Sequence, residues 1–205
     1  MSEEKLLQAV GQAIRGGAQV VQIWNATGRI HTDTLRVATA IHSRTLKDGI
    51  PLIVNNDLHL AKELDAEGVH FDDFQIPANE ARDFLQAEAV IGYTCGNDRT
   101  HVRKAEAVGA DYLSFCAVFP SPSVQSCEIV PLESVRQAKN TVGIPVFASG
   151  GITPENAHLV LEAGADGLAI ASSILRSGNP EAAAQAFKRI LDYYLATRAN
   201  AGTKS

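Results

Sequence analysis

Residues 109–115 read GADYLSF, and residues 164–170 read GADGLAI. In both, a glycine ends an amphipathic run, an alanine and an aspartate follow, and an apolar segment begins. Glycine just past a helix is a stop signal, because it enters the left-handed backbone region at little steric cost. A short apolar run after such a stop reads as a strand. Gly16-Gly17-Ala18 repeats the design ahead of QVVQI at 19–23, and Ala66-Glu67-Gly68 is a weaker copy. A helix closed and a strand opened, several times over, is the pattern that decides the fold class.

Outward from these turns the alternation fills the chain. Helices are expected over 3–15, 32–47, 58–66, 77–86, 98–108, 131–140, 154–163 and 180–196. Strands are expected over 19–23, 51–55, 68–71, 89–93, 112–115, 145–148 and 167–171. Leu6, Leu7, Val10 and Ile14 form one apolar stripe of the first helix, and Leu35, Ala38 and Ile41 one of the second. Strict β/α alternation argues for a parallel sheet covered by helices, and the strands read as solidly apolar. Seven strands are one short of a closed barrel, and the chain opens on a helix. The expected fold is α/β: a TIM-type (β/α)8 barrel with its first strand missing from this chain, one domain spanning 1–205.

Composition limits the function classes. Hydrophobic residues at 45% and charged residues at 20% exclude a disordered or collagen-like chain. No apolar run nears the roughly 20 residues that span a bilayer. The opening MSEEK lacks the basic and apolar regions of a secretory signal, so a cytoplasmic location is expected. Eighteen Lys and Arg against 23 Asp and Glu give a net charge of −5, with no basic cluster for a nucleic acid. Cys95, Cys116 and Cys127 form no Cys-x-x-Cys pair, so free thiols rather than a zinc site are expected.

In a barrel, chemistry sits on the loops that follow the strands. Gly150 and Gly151 follow one strand, and Ala171 and Ser172 follow the next and open a helical turn. Backbone N–H groups in such loops suit a phosphate, so these four residues are the candidate phosphate site. Glycines that merely form a tight turn are the alternative. Gln22 and Trp24, then Asn55 and Asn56, then Thr94, then Ser121 and Ser123 end or follow other strands and are candidate substrate contacts. Asn55-Asn56-Asp57 reads equally well as a helix cap. Asp72, Asp73 and Cys95 are the candidate catalytic residues. His70 lies beside the two aspartates, yet a metal centre needs three or four converging ligands, and none is assigned.

These segments together resemble a known family. Val21-Gln22-Ile23 after Gly16-Gly17-Ala18 is similar to its "GGA…VQLR", and Leu52-Ile53-Val54-Asn55-Asn56 to "LIIND". Glu67 to Phe71 resembles "DGVHL", and Gly109 to Tyr112 with Val118 to Ser123 resembles "GADY…VFPTPTK". Ile144-Pro145-Val146, Gly150-Gly151-Ile152 and Ala163 to Gly167 complete an ordered match from about residue 10 to 185. The family is thiamine phosphate synthase with its TenI-type thiazole tautomerase relatives.

The resemblance implies a (β/α)8 barrel that handles small phosphorylated heterocycles, with a homodimer also consistent with such barrels. The synthase joins a pyrimidine methyl pyrophosphate to a thiazole phosphate and uses Mg²⁺ and basic side chains on the pyrophosphate. Gly151, Ala171 and Ser172 match the thiazole-phosphate positions, and Ser121 and Ser123 replace two threonines. Gln22, Asn55 and Thr94 match positions facing the pyrimidine and pyrophosphate. The family's arginine, two lysines and two metal aspartates fall on Trp24, Ala26, Val124, Asn56 and Gln75. The tautomerase histidine falls on Gly96. Neutral residues cannot offset a pyrophosphate in a partly desolvated site. The expectation is therefore a barrel of this family, related to thiamine biosynthesis, that binds a thiazole-type phosphate and lacks the standard pyrophosphate and Mg²⁺ residues. A divergent isomerase or tautomerase using Asp72, Asp73 or Cys95, and a non-catalytic binding or regulatory protein, are the alternatives.

Overall fold

The computed structural model describes residues 1–24, 32–121 and 128–202. The helix α1 (Glu3–Arg15) leads into β1 (Val21–Ile23), and α2 (Thr32–Asp48) into β2 (Leu52–Asn55). Then follow α3 (Leu58–Leu64), β3 (Gly68–Phe71), α4 (Ala78–Phe84), β4 (Val90–Cys95), α5 (Arg99–Ala107) and β5 (Tyr112–Phe115). The chain continues through α6 (Leu132–Lys139), β6 (Val146–Ser149), α7 (Ala157–Glu162), β7 (Gly167–Ala169), α8 (Ser172–Leu175) and α9 (Pro180–Gly202). The expected order of elements is found, except that α7 starts three residues later than Pro154. Asn156 explains the delay: its Oδ1 accepts the Thr153 N–H and its Nδ2 donates to the Gly151 carbonyl, holding a turn there.

All seven strands run parallel and pair in chain order, β1 to β7. The sheet curls in the manner of a TIM-type barrel and ends at β1 and β7. The helix layer is continuous where the described strands are not. There α1 packs on α9, Arg15 Nε donates to Glu181 at 2.9 Å, and a Cβ on Gly16 would meet the Glu181 carbonyl oxygen at 2.3 Å. Among the described residues, no helix is long and apolar enough to cross a membrane.

The repeated turns have a physical purpose at both ends. Gly109 and Gly164 take φ of +81° and +108°, so the glycine ending each helix is required by the backbone. The aspartate two residues later accepts an N–H at the start of the neighbouring strand, as Glu67 does in the weaker copy. Asp111 takes Ile91 N–H at 2.6 Å, Asp166 takes Val146 N–H at 2.8 Å, and Glu67 takes Leu52 N–H at 2.7 Å. Arg82 and Lys139 hold the two aspartates in place.

The strands are not uniformly apolar, which corrects the reading from sequence. Successive strand residues face opposite sides. One side carries Leu52, Val54, Val69, Phe71, Ile91, Tyr93, Cys95, Leu113 and Phe115, all buried under the helices. The inner side is polar toward its C-terminal rim: Asn55 pairs with His70, His70 with Gly92, and Thr94 with Ser114.

Candidate functional site

Five inner-face positions meet at the C-terminal rim of β1 to β5. Gln22 Nε2 donates to Asn55 Oδ1 at 2.9 Å. Asn55 Nδ2 donates to Asp72 Oδ2 at 3.1 Å, and Asn56 Nδ2 donates to the same oxygen at 2.7 Å. The Asp72 N–H returns a hydrogen bond to Asn56 Oδ1 at 2.8 Å. Thr94 Oγ1 lies 3.4 Å from Asp72 Oδ1 and 2.8 Å from His70 Nε2, while His70 Nδ1 lies 3.0 Å from the Tyr112 hydroxyl. The Tyr112 ring stacks on His70 at 5.4 Å between centroids. Gly92 makes this stack fit, since a Cβ there would lie 2.1 Å from the Tyr112 ring.

Burial grades the cluster from inside to outside. His70 and Asn55 are 4% and 5% exposed, Thr94 and Tyr112 half-buried, Gln22, Asn56 and Asp72 exposed. Burial pushes the His70 imidazole down to about 4 against the charge of Asp72, so it is neutral at physiological pH. The Tyr112 hydroxyl is raised mainly by the same burial. Asn56 adopts φ of +59°, a region asparagine tolerates, and this turn brings its amide onto Asp72. Asp57 caps α3 by accepting the Leu60 N–H at 2.9 Å. The Asn-Asn-Asp run therefore divides its work: two amides at the rim and one cap.

The other candidates fall elsewhere. Cys95 sits on the outward face of β4, fully buried, and burial pushes its thiol up to about 12. It faces the helices rather than the rim, which removes it as base or nucleophile. Asp73 folds onto its own turn, accepting from the Gln75 N–H and Gln75 Nε2, both at 2.9 Å. Trp24 is 65% exposed beyond β1. Ser121 is half-buried after β5, while Ser123, with Ala26, Val124 and Cys127, lies outside the described residues. A groove of about 450 Å³ between α5 and α6, bordered by Phe115 and Arg103, lies on the helix side of the sheet.

At the opposite part of the rim, the loops after β5 and β6 interlock. Val118 N–H donates to the Ser149 carbonyl and Phe119 N–H to that of Gly150, both at 3.1 Å. A Cβ on Gly150 would meet Ala117 N at 2.5 Å, and one on Gly151 the Phe119 carbonyl oxygen at 2.6 Å. Close backbone approach thus requires both glycines, whatever ligand lies above. Ser173 Oγ donates to the Ile152 carbonyl at 2.6 Å, which joins the β6 loop to the start of α8. Among the described residues, no backbone acceptor takes the N–H of Gly151 or Ser172.

The sequence and the fold that carry this rim are similar to those of known proteins. A family model described as thiamine monophosphate synthase matches residues 1–174. The chain belongs to this family. A thiamine-phosphate synthase of Methanobrevibacter smithii is 33% identical over 183 residues, 89% of this chain and 87% of the relative. One from Nitrosococcus oceani is 36% identical over 92% of this chain and 87% of its own. The solved thiamine phosphate pyrophosphorylase of Pyrococcus furiosus superposes with a TM-score of 0.79 at 28% identity, covering 92% of this chain and 90% of that one.

Sequence reasoning within this thiamine monophosphate synthase frame picked out Gln22, Asn55, Asn56, Asp72 and Thr94, and the structure brings all five together. It missed His70 and Tyr112 as members of the cluster. The available signal was parity: both share a strand face with Asn55 and Thr94 once the register is known. The Mg²⁺ implied by the resemblance does not fit the donors present. At its positions, Asn56 Oδ1 already accepts from Asp72 and Gln75 is tied to Asp73. Among the described residues, no three His, Cys, Asp or Glu side chains converge.

Proposed function

We propose that this thiamine monophosphate synthase family barrel acts in thiamine biosynthesis by binding a thiazole-type phosphate, with the pyrophosphate half of the site altered. The relatives' shared name supports the pathway. The observation that carries the reading is the asymmetric rim. The loops after β6 and β7 offer backbone N–H groups from Gly151 and Ser172, which suit a phosphate. The rim of β1 to β4 joins one carboxylate to neutral amides and a hydroxyl, with no lysine or arginine in the cluster among the described residues. A pyrophosphate there would meet Asp72 without a described cation to offset it. Gly150, Gly151, Ala171 and Ser172 are proposed to cradle the phosphate, with Ser121 beside it; Ser123, also a substrate candidate, lies outside the described residues.

Gly151→Asp is a poor test, because its side chain would strike the Phe119 carbonyl. Ala171 is exposed, so Ala171→Asp places a charge at the phosphate without disturbing the core. Calorimetry with thiazole phosphate should show binding to the natural chain and at least a tenfold loss in the variant, about 1.4 kcal/mol. Equal affinities would remove these loops from the site. A second reading, an isomerase with Asp72 as base, is favoured by one feature: Asp72 is the exposed carboxylate on which the rim network converges.

A further inference from the structure

We infer that Asn156 is a positioning residue that turns the Gly151–Ile152 peptide, so that the Ile152 N–H joins those of Gly150 and Gly151 as a third donor to an anion. Asn156 stands at the N-cap of α7, where an asparagine ordinarily accepts an N–H from the first turn of its helix. Here its side chain makes no capping bond to α7. It turns back into the loop after β6 instead. Oδ1 accepts the Thr153 N–H at 2.8 Å, and Nδ2 donates to the Gly151 carbonyl at 3.0 Å. The partners settle which atom is which, since a backbone N–H only donates and a carbonyl only accepts.

The carbonyls along this loop are each engaged by a different group. Ser149 takes the Val118 N–H, Gly150 the Phe119 N–H, Gly151 the Asn156 amide and Ile152 the Ser173 hydroxyl. Every described peptide is trans, so each N–H points away from the carbonyl one residue before it. The loop after β5 thus orients the N–H groups of Gly150 and Gly151, and Asn156 orients that of Ile152. None of the three meets a backbone acceptor among the described residues. Ile152 is 3% exposed, and a buried N–H left without an acceptor is costly. Gly151 is left-handed at φ of +66°, and successive N–H groups around such a residue form an anion-binding concavity. The anion is the phosphate of the proposed function, on which this inference rests. The inference adds a donor that the glycine and serine pattern does not show, because Ile152 reads as core.

The test is amide NMR of the full chain, titrated with inorganic phosphate and with thiazole phosphate, without metal. In the natural chain the Gly151 and Ile152 N–H signals should both move downfield. In Asn156→Ala, phosphate should bind at least tenfold more weakly. At saturation Gly151 should still respond, because the Phe119 N–H still holds its peptide, while Ile152 should not. A loop that had merely lost stability would not separate two adjacent amides. Asn156→Asp guards against collapse of the turn. Its carboxylate keeps an acceptor for the Thr153 N–H but has no donor for the Gly151 carbonyl, so it should melt near the natural chain and still lose the Ile152 response. Phosphate binding as tight in both variants as in the natural chain, or loss of the Gly151 and Ile152 responses together, would overturn the inference and leave the phosphate site standing. A natural chain whose two amides ignore both phosphates would remove the donor role and the proposed function with it.

Discussion

Burial keeps the His70 imidazole neutral down to about pH 4, whereas in an unfolded chain it titrates near 6.5. Between those values the unfolded state holds a proton that the folded state refuses. Its contribution to stability is therefore complete above pH 6.5 and is lost as pH falls toward 4, on the order of 3 kcal/mol in all. Urea midpoints taken at pH 7 and 4.5 should fall more steeply for the natural chain than for His70→Asn. Parallel curves would contradict the buried neutral ring. Cys95 belongs to the same scale: with its thiol raised to about 12, it should resist alkylation in the folded protein and react only on unfolding, as peptide mass spectrometry can follow. Single residues were legible in the sequence where a polar side chain stood in or at the end of an apolar run, as with Gln22, Asn55 and Thr94. Tyr112 was not, and His70 was noted only beside the two aspartates; the strand register shows that both share a face with Asn55 and Thr94.

Among elements, the Gly-Ala-Asp turns couple neighbouring strands through a carboxylate. Asp166→Ala would leave the Val146 N–H without its acceptor and Lys139 without its partner. A loss of about 1 to 3 kcal/mol is expected, read as a lower melting temperature, with ligand binding unchanged because these turns lie at the rim's opposite end. A loss of binding at constant stability would show that the turn is not simply structural. Gly92→Ala acts at the rim itself, since its Cβ would strike the Tyr112 ring. Overpacking of this kind costs about 1 to 3 kcal/mol. It should also displace Tyr112 from His70, visible in their ring signals. Element order was readable because helix stops and strand starts are local events, set by glycine and by side-chain periodicity. The polar inner face was not, because a strand of three or four residues is too short for its alternation to stand out.

For the whole molecule, the helix layer continues across the sheet ends through α1 and α9, so the rim is held by packing on all the described sides. That frame carries two unlike halves: glycine loops whose Gly151 and Ser172 N–H groups meet no backbone acceptor among the described residues, and a polar cluster closed on Asp72. The resemblance drew attention to both: it placed Gly151, Ala171 and Ser172 at thiazole-phosphate positions and put Trp24, Asn56 and Gln75 where the family has charged residues. What the replacements build was not legible there, because the Asn55–Asn56–Asp72 contacts join residues up to 17 positions apart. The central claim is that this barrel keeps the thiazole-phosphate half and has lost the Mg²⁺-pyrophosphate half. Calorimetry with the pyrimidine pyrophosphate and with thiazole phosphate, each with and without Mg²⁺, tests it most directly. Thiazole phosphate should bind regardless of Mg²⁺, and the pyrimidine pyrophosphate should give no heat in either condition. Mg²⁺-dependent binding of the pyrimidine pyrophosphate would contradict the account and return the chain to ordinary synthase chemistry.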